Sequence, residues 1–141
     1  MLYKTIISVE DLKNNIDNKD FIIFDSRCDI KDKGYGIDSY TEGHIPNSIF
    51  VDVDTDLASE KQQGTGRHPL PKVETFCDKL SHWGMDNNKQ AVIYDDAGGA
   101  FAGRMWWMLK WLGHENVAVL DGGLNSWVKN GNKLVTSPTL F

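Results

Sequence analysis

The sequence predicts an α/β domain, a three-layer sandwich in which a central, mostly parallel sheet is flanked by helices. Two observations carry that expectation. Four short apolar runs, Phe21-Ile22-Ile23-Phe24, Ile49-Phe50-Val51, Ala91-Val92-Ile93-Tyr94 and Val117-Ala118-Val119-Leu120, each end on an acid: Asp25, Asp52, Asp95 and Asp121. Continuous runs of this kind, without polar alternation, suit strands buried on both faces, the condition of a parallel sheet. Segments with helical spacing of apolar residues lie between or beside them, and that alternation implies strand-helix crossover units.

The elements follow in chain order. Ser8, with Asp11 three residues later, makes a capping-box-like start for a helix over Val9 to Ile16. Pro71 opens a second helix with Val73, Phe76, Cys77, Leu80 and Trp83 on one face, closed by Gly84. Met105 to Leu112 is apolar nearly all round, carries Trp106, Trp107 and Trp111, and ends at Gly113; it is expected to be the most buried helix. A fourth helix, Leu124 to Asn130, follows Gly122-Gly123 and stops at Gly131. Residues 26–48 and 54–70 read as long polar connections, and loops of that size are usually functional or mobile. The domain is expected over residues 1–132. Residues 133–141, with Pro138 and no periodicity, read as the start of an interdomain linker.

At 141 residues the chain is one domain, long enough to bury roughly two-thirds of its unfolded surface. A net charge of -5 argues against nucleic acid or an anionic membrane surface as a partner. Cys28 and Cys77 form no C-x-x-C pair and no ligand-like cluster with the four histidines. No disulfide framework, metal or cofactor is therefore expected, and the thiols read as those of a reduced, cytoplasmic protein. The start, MLYKTIISVEDLKN, is charged too early for a signal peptide, and no apolar run approaches the length of a membrane span.

In parallel sheets the ligand crevice lies beyond the carboxyl ends of the strands, where Asp25, Asp52, Asp95 and Asp121 all fall. Taken singly, such acids cap the amides of the following turn. FDSRCD superficially suggests an aspartate-nucleophile phosphatase, but the second magnesium-binding acid would stand at position 27, which is Arg27. Asp25 and Arg27 read instead as a structural ion pair. His44, in Y-T-E-G-H-I-P-N-S, is a candidate base, yet Gly43 and Pro46 frame it as a fixed turn in which a histidine caps backbone groups. The richest segment is AVIYDDAGGAFAGR, Ala91 to Arg104: a strand, a glycine turn and a helix start that together aim amides at one point as an anion cradle. A cysteine at its base would be held as a thiolate. Neither Cys, Ser nor Thr occurs in that segment, and the position is Asp95, whose carboxylate can fill the cradle from within.

Three fragments, FDSR with Y-x-x-G-H-I-P-N-S, the loop after VIYD, and VLDGGLNSW, together resemble the rhodanese domain of the sulfurtransferases, from roughly Ile6 to Gly131. The resemblance implies transfer of sulfane sulfur from thiosulfate or 3-mercaptopyruvate to a thiophilic acceptor through a cysteine persulfide. Two-domain members carry that cysteine only in the second copy, and the first commonly shows Asp there. Ala102-Gly103-Arg104-Met105-Trp106-Trp107 and the GTGRHPLP stretch at 64–71 are similar to that first copy, with Gly103 where proline is common.

The resemblance therefore implies no catalytic residue in this chain, with Asp95 at the nucleophile position. Asp96, Gly98, Gly99, Phe101 and Arg104 are candidates for the interdomain cleft, and Asp25, Arg27, His44, Asp121, Gly122 and Gly123 are structural motif residues. Phe101 reads either as a dry wall over the neighbouring site or as an aromatic packed on its own domain. Arg104 reads as pairing with Asp25 or another strand-end acid, with contact to an anionic donor as the other reading. The implied partners are a second rhodanese domain of the same polypeptide and a small sulfur donor, the chain being a fragment of a longer protein that is inactive alone. The alternatives are a free-standing inactive rhodanese-like module that binds a partner or regulates, and sulfur carriage by Cys28.

Overall fold

A computed structural model of the chain describes residues 3–58 and 70–139. Strands and helices alternate in the order β1 (Ile6–Ile7), α1 (Val9–Asn14), β2 (Phe21–Asp25), α2 (Tyr35–Glu42), β3 (Ser48–Phe50), α3 (Val73–His82), β4 (Gln90–Tyr94), α4 (Ala102–Trp111), β5 (Val117–Leu120) and α5 (Gly123–Lys129). The strands form one sheet in the order β1-β5-β4-β2-β3. Every pairing is parallel, with Asp25 opposite Tyr94 and Ile93 opposite Val119. All four apolar runs are strands, and the sheet gains β1 at its edge, too short to stand out in the sequence.

The period of two along each strand divides the interior between the two faces of the sheet. Ala91 and Ile93 of β4 join Phe24, Phe76, Leu80, Met105 and Met108 under α3 and α4. Val92 and Tyr94 join Leu12, Ile23, Leu124 and Trp127 under α1 and α5. This is the three-layer α/β arrangement that the alternation predicts. Ser8 caps α1 by accepting from the Asp11 amide at 3.0 Å.

Two expectations are corrected. Residues 26–48 are not a continuous loop, because α2 lies within them with Gly36 and Tyr40 buried. The helix α4 is not buried all round: Ala102, Met105, Met108 and Leu109 face the core, whereas Trp107 and Trp111 are 47% and 46% exposed. Those two rings lie one turn apart on the outer face and stack at 6.0 Å. Residues 133–139 are docked on the domain: Val135 and His44 exchange backbone hydrogen bonds at 2.8 and 2.9 Å, and the Thr139 hydroxyl donates to the Ser48 carbonyl at 2.6 Å. Of the 54–70 connection, residues 59–69 lie outside the described residues, and with them most of GTGRHPLP. Among the described residues no helix is long and apolar enough to cross a membrane.

Candidate functional site

The loop after β4 closes on itself. Asp95 is only 1% exposed, and its carboxylate accepts four backbone amides. Oδ1 takes those of Ala97 and Gly99, both at 3.0 Å, and Oδ2 takes those of Phe101 and Ala102, both at 2.9 Å. The last two are the amides of the N-cap and the first residue of α4, which have no partner within the helix, and the helix dipole favours a negative charge there. Gly98 and Gly99 adopt positive φ, which swings the loop amides inward. The Asp95 carbonyl accepts the Leu124 amide at 2.9 Å, which joins this loop to the start of α5. Gly123 makes the approach possible: at φ +60° an added Cβ would stand 2.5 Å from that carbonyl. The result is an anion cradle whose anion is a side chain of the same loop.

Next to it, a cavity of about 240 Å³ brings Asp95, Asp96, Gly98 and Gly99 together with Asp121, Gly122, Gly123 and Asn125, across the carboxyl ends of β4 and β5. Phe101 and Arg104 are not part of it. Phe101 is half-buried, packs on the first core and lines a separate depression with Cys28 and Ile30. The Arg104 guanidinium donates to the Leu57 carbonyl from Nε at 3.1 Å and Nη2 at 2.8 Å. The expected Arg104–Asp25 pair does not form, because Asp25 is taken. Arg27 binds both its carboxylate oxygens, with Nη2 2.8 Å from Oδ2, and also donates to the Gly43 carbonyl at 2.7 Å.

Asp25 is fully buried and has a second partner, the Tyr94 hydroxyl, which donates to Oδ2 at 2.8 Å. That hydroxyl also receives the Ile45 amide and meets the Ser48 hydroxyl. Burial, followed by the charge of Asp25, holds Tyr94 well above the usual phenol range. For Arg27, burial alone would lower the pKa, but the bond to Asp25 and its charge outweigh this and raise it. The motif at β2 is thus a buried clamp tying the ends of β2 and β4 to the Gly43–Ser48 turn. His44 is fully buried in that turn, its ring nitrogens on the carbonyls of Tyr40 and Ser137, in the capping role its frame predicts. Strand-end acids do cap the following turn: Asp25 accepts the Arg27 amide and Asp52 the Asp54 amide.

Sequence reasoning missed Tyr35, whose hydroxyl donates to the Asp96 carboxylate and is pushed up chiefly by that bond. It also missed Tyr94 as a polar member, since the residue reads as the apolar end of a strand. Cys28 sits by Asp54, Asp52 and Asp29; burial, then these charges, push its thiol up to about 11. Among the described residues no three His, Cys, Asp or Glu side chains are placed to hold a metal.

A parallel sheet with a strand-loop-helix anion cradle at its carboxyl edge defines an α/β class with an anion-binding loop. Within that class the Rhodanese-like domain family matches residues 8–130, and the chain belongs to it. It is 41% identical over 128 residues to a probable 3-mercaptopyruvate sulfurtransferase of Pseudomonas aeruginosa, covering 89% of this chain and 45% of that protein. It is 35% identical over 133 residues to the mitochondrial thiosulfate/3-mercaptopyruvate sulfurtransferase 1 of Arabidopsis thaliana, covering 94% of this chain and 34% of that one. The solved 3-mercaptopyruvate sulfurtransferase of Leishmania major superposes with a TM-score of 0.89 at 30% identity, over 98% of this chain and 38% of the other. The chain thus spans less than half the length of these relatives.

Proposed function

We propose that this domain is the cysteine-free, amino-terminal half of a two-domain sulfurtransferase that moves sulfane sulfur from thiosulfate or 3-mercaptopyruvate to a thiophilic acceptor. The observation that carries the reading is Asp95: the cradle that would hold a thiolate or persulfide is occupied by a fixed carboxylate with four amide donors. An aspartate so held is no sulfur carrier. The cysteine that forms the persulfide belongs to a second rhodanese-like domain, and the loop from Asp96 to Phe101 shapes one wall of its cleft. The names and lengths of the relatives support this division, since each is more than twice the length matched. Two free cysteines fit a reducing compartment, and the cytoplasm is the proposed location.

The test is a sulfur-transfer assay with both donors, run on this chain and on a longer chain that carries a second rhodanese-like domain. Activity is expected only in the longer protein. Turnover of either donor by the 141-residue chain alone would overturn the reading.

A further inference from the structure

The loop after β4 has a second anchor outside its own cradle. The four amide bonds to Asp95 set the path of the loop backbone, but none of them involves the next side chain, Asp96. Its partner comes from another element: the hydroxyl of Tyr35, the first residue of α2, donates to Asp96 Oδ2. Both residues are half-buried. That bond, followed by burial and the charge of Asp96, holds the Tyr35 phenol above its usual range, against the opposing pull of the Ser39 hydroxyl and the charge of Arg27. The far end of the loop meets the same segment of chain. Phe101 shares its depression with Cys28 and Ile30, so the stretch between β2 and α2 braces the loop at Asp96 and again at Phe101.

The direction in which Asp96 is held matters because of what it borders. It lines the cavity of about 240 Å³ at the carboxyl ends of β4 and β5 together with a second exposed acid, Asp121, and the lining holds no Lys, Arg or His. Thiosulfate and 3-mercaptopyruvate are both anions, and an untethered carboxylate at the edge they approach repels them. A charge-assisted bond from a neutral phenol turns that carboxylate towards α2 and keeps it there. We propose that Tyr35 is a positioning residue for the anionic sulfur donor: its bond to Asp96 directs that carboxylate away from the cleft bordered by the loop from Asp96 to Phe101. The inference rests on the function proposed above, in which that loop walls the second domain's site. Tyr35 touches no reacting atom and acts through Asp96. Its loss therefore weakens binding of the donor in the ground state and the transition state alike and leaves the chemical step as it was. The electrostatic origin adds a signature, since salt screens a repulsion between charges that water reaches.

The experiment compares three forms of a longer chain that carries a second rhodanese-like domain, with thiosulfate as donor: the unaltered protein, Tyr35→Phe, and Tyr35→Phe combined with Asp96→Asn. In Tyr35→Phe, KM for the donor is expected to rise about three- to tenfold at low salt with kcat unchanged, and the rise to shrink in about 0.5 M salt. The double variant removes the released charge, and its KM is expected to return to that of the unaltered protein. An unchanged KM in Tyr35→Phe, a fall in kcat instead, or a raised KM that Asp96→Asn does not restore would each overturn the assignment while the proposed function stands. No turnover by the unaltered longer chain would overturn the function and this inference with it.

Discussion

Asp95 is the residue on which the loop geometry turns, and its replacement separates charge from shape. In Asp95→Asn one oxygen becomes an amide donor facing amides that also donate, so two of the four bonds are lost and two donors confront a third. A loss of about 2–4 kcal/mol in unfolding free energy is expected by urea titration; a change within experimental error would mean that water fills the cradle equally well. Cys28 gives a second prediction at this scale. With its thiol raised from 9.0 to about 11, its thiolate fraction at pH 8 falls about a hundredfold below that of an ordinary cysteine, and alkylation by iodoacetamide slows in proportion. Rapid labelling of Cys28, followed by mass spectrometry, would show the burial and acid charges to be ineffective and reopen its candidacy as a sulfur carrier.

At the scale of elements, the join between the β4 loop and α5 rests on Gly123. Gly123→Ala would force a side chain into the left-handed region and against the Asp95 carbonyl, so a loss of about 2 kcal/mol or more is expected, visible as a lower Tm. Unchanged thermal stability would show that the join yields freely. The same scale shows what the sequence made legible. The four buried strands declared themselves because double-sided burial removes polar alternation, and Asp95 declared itself because the loop holds no alternative nucleophile. The helix α2 did not: YGIDSYTE has a glycine near its start, a polar majority and no side-chain N-cap, so its stability comes from packing Gly36 and Tyr40 rather than from local signals. The tryptophans of α4 misled because composition carries no direction; the helical period places Met105, Met108 and Leu109 inward and leaves Trp107 and Trp111 outside. The Tyr35–Asp96 bond spans 61 positions and the Tyr94–Asp25 bond 69, separations no local pattern encodes.

Over the whole molecule, the buried Tyr94–Asp25–Arg27 clamp couples stability to alkaline pH. A tyrosine whose folded pKa stands above its unfolded one contributes stability that is complete below the unfolded value, near 10.0, and is lost as pH rises beyond it. Unfolding free energy is therefore expected to fall above about pH 10. In Tyr94→Phe most of that decline disappears, at a cost of about 1–3 kcal/mol at neutral pH for the partners left unsatisfied. Parallel slopes for the two proteins in denaturant titrations from pH 9 to 11 would show that the decline originates elsewhere, with the half-buried Tyr3 and Tyr35 as the next sources. A different consequence follows from the order of the strands. The margins of the sheet, β1 and β3, are two and three residues long, while the five-residue strands β2 and β4 lie inside. Each margin therefore offers only a stub of open backbone, too little to template a strand from a neighbouring molecule, and crowded solutions of this protein are protected from zippering edge to edge into aggregates.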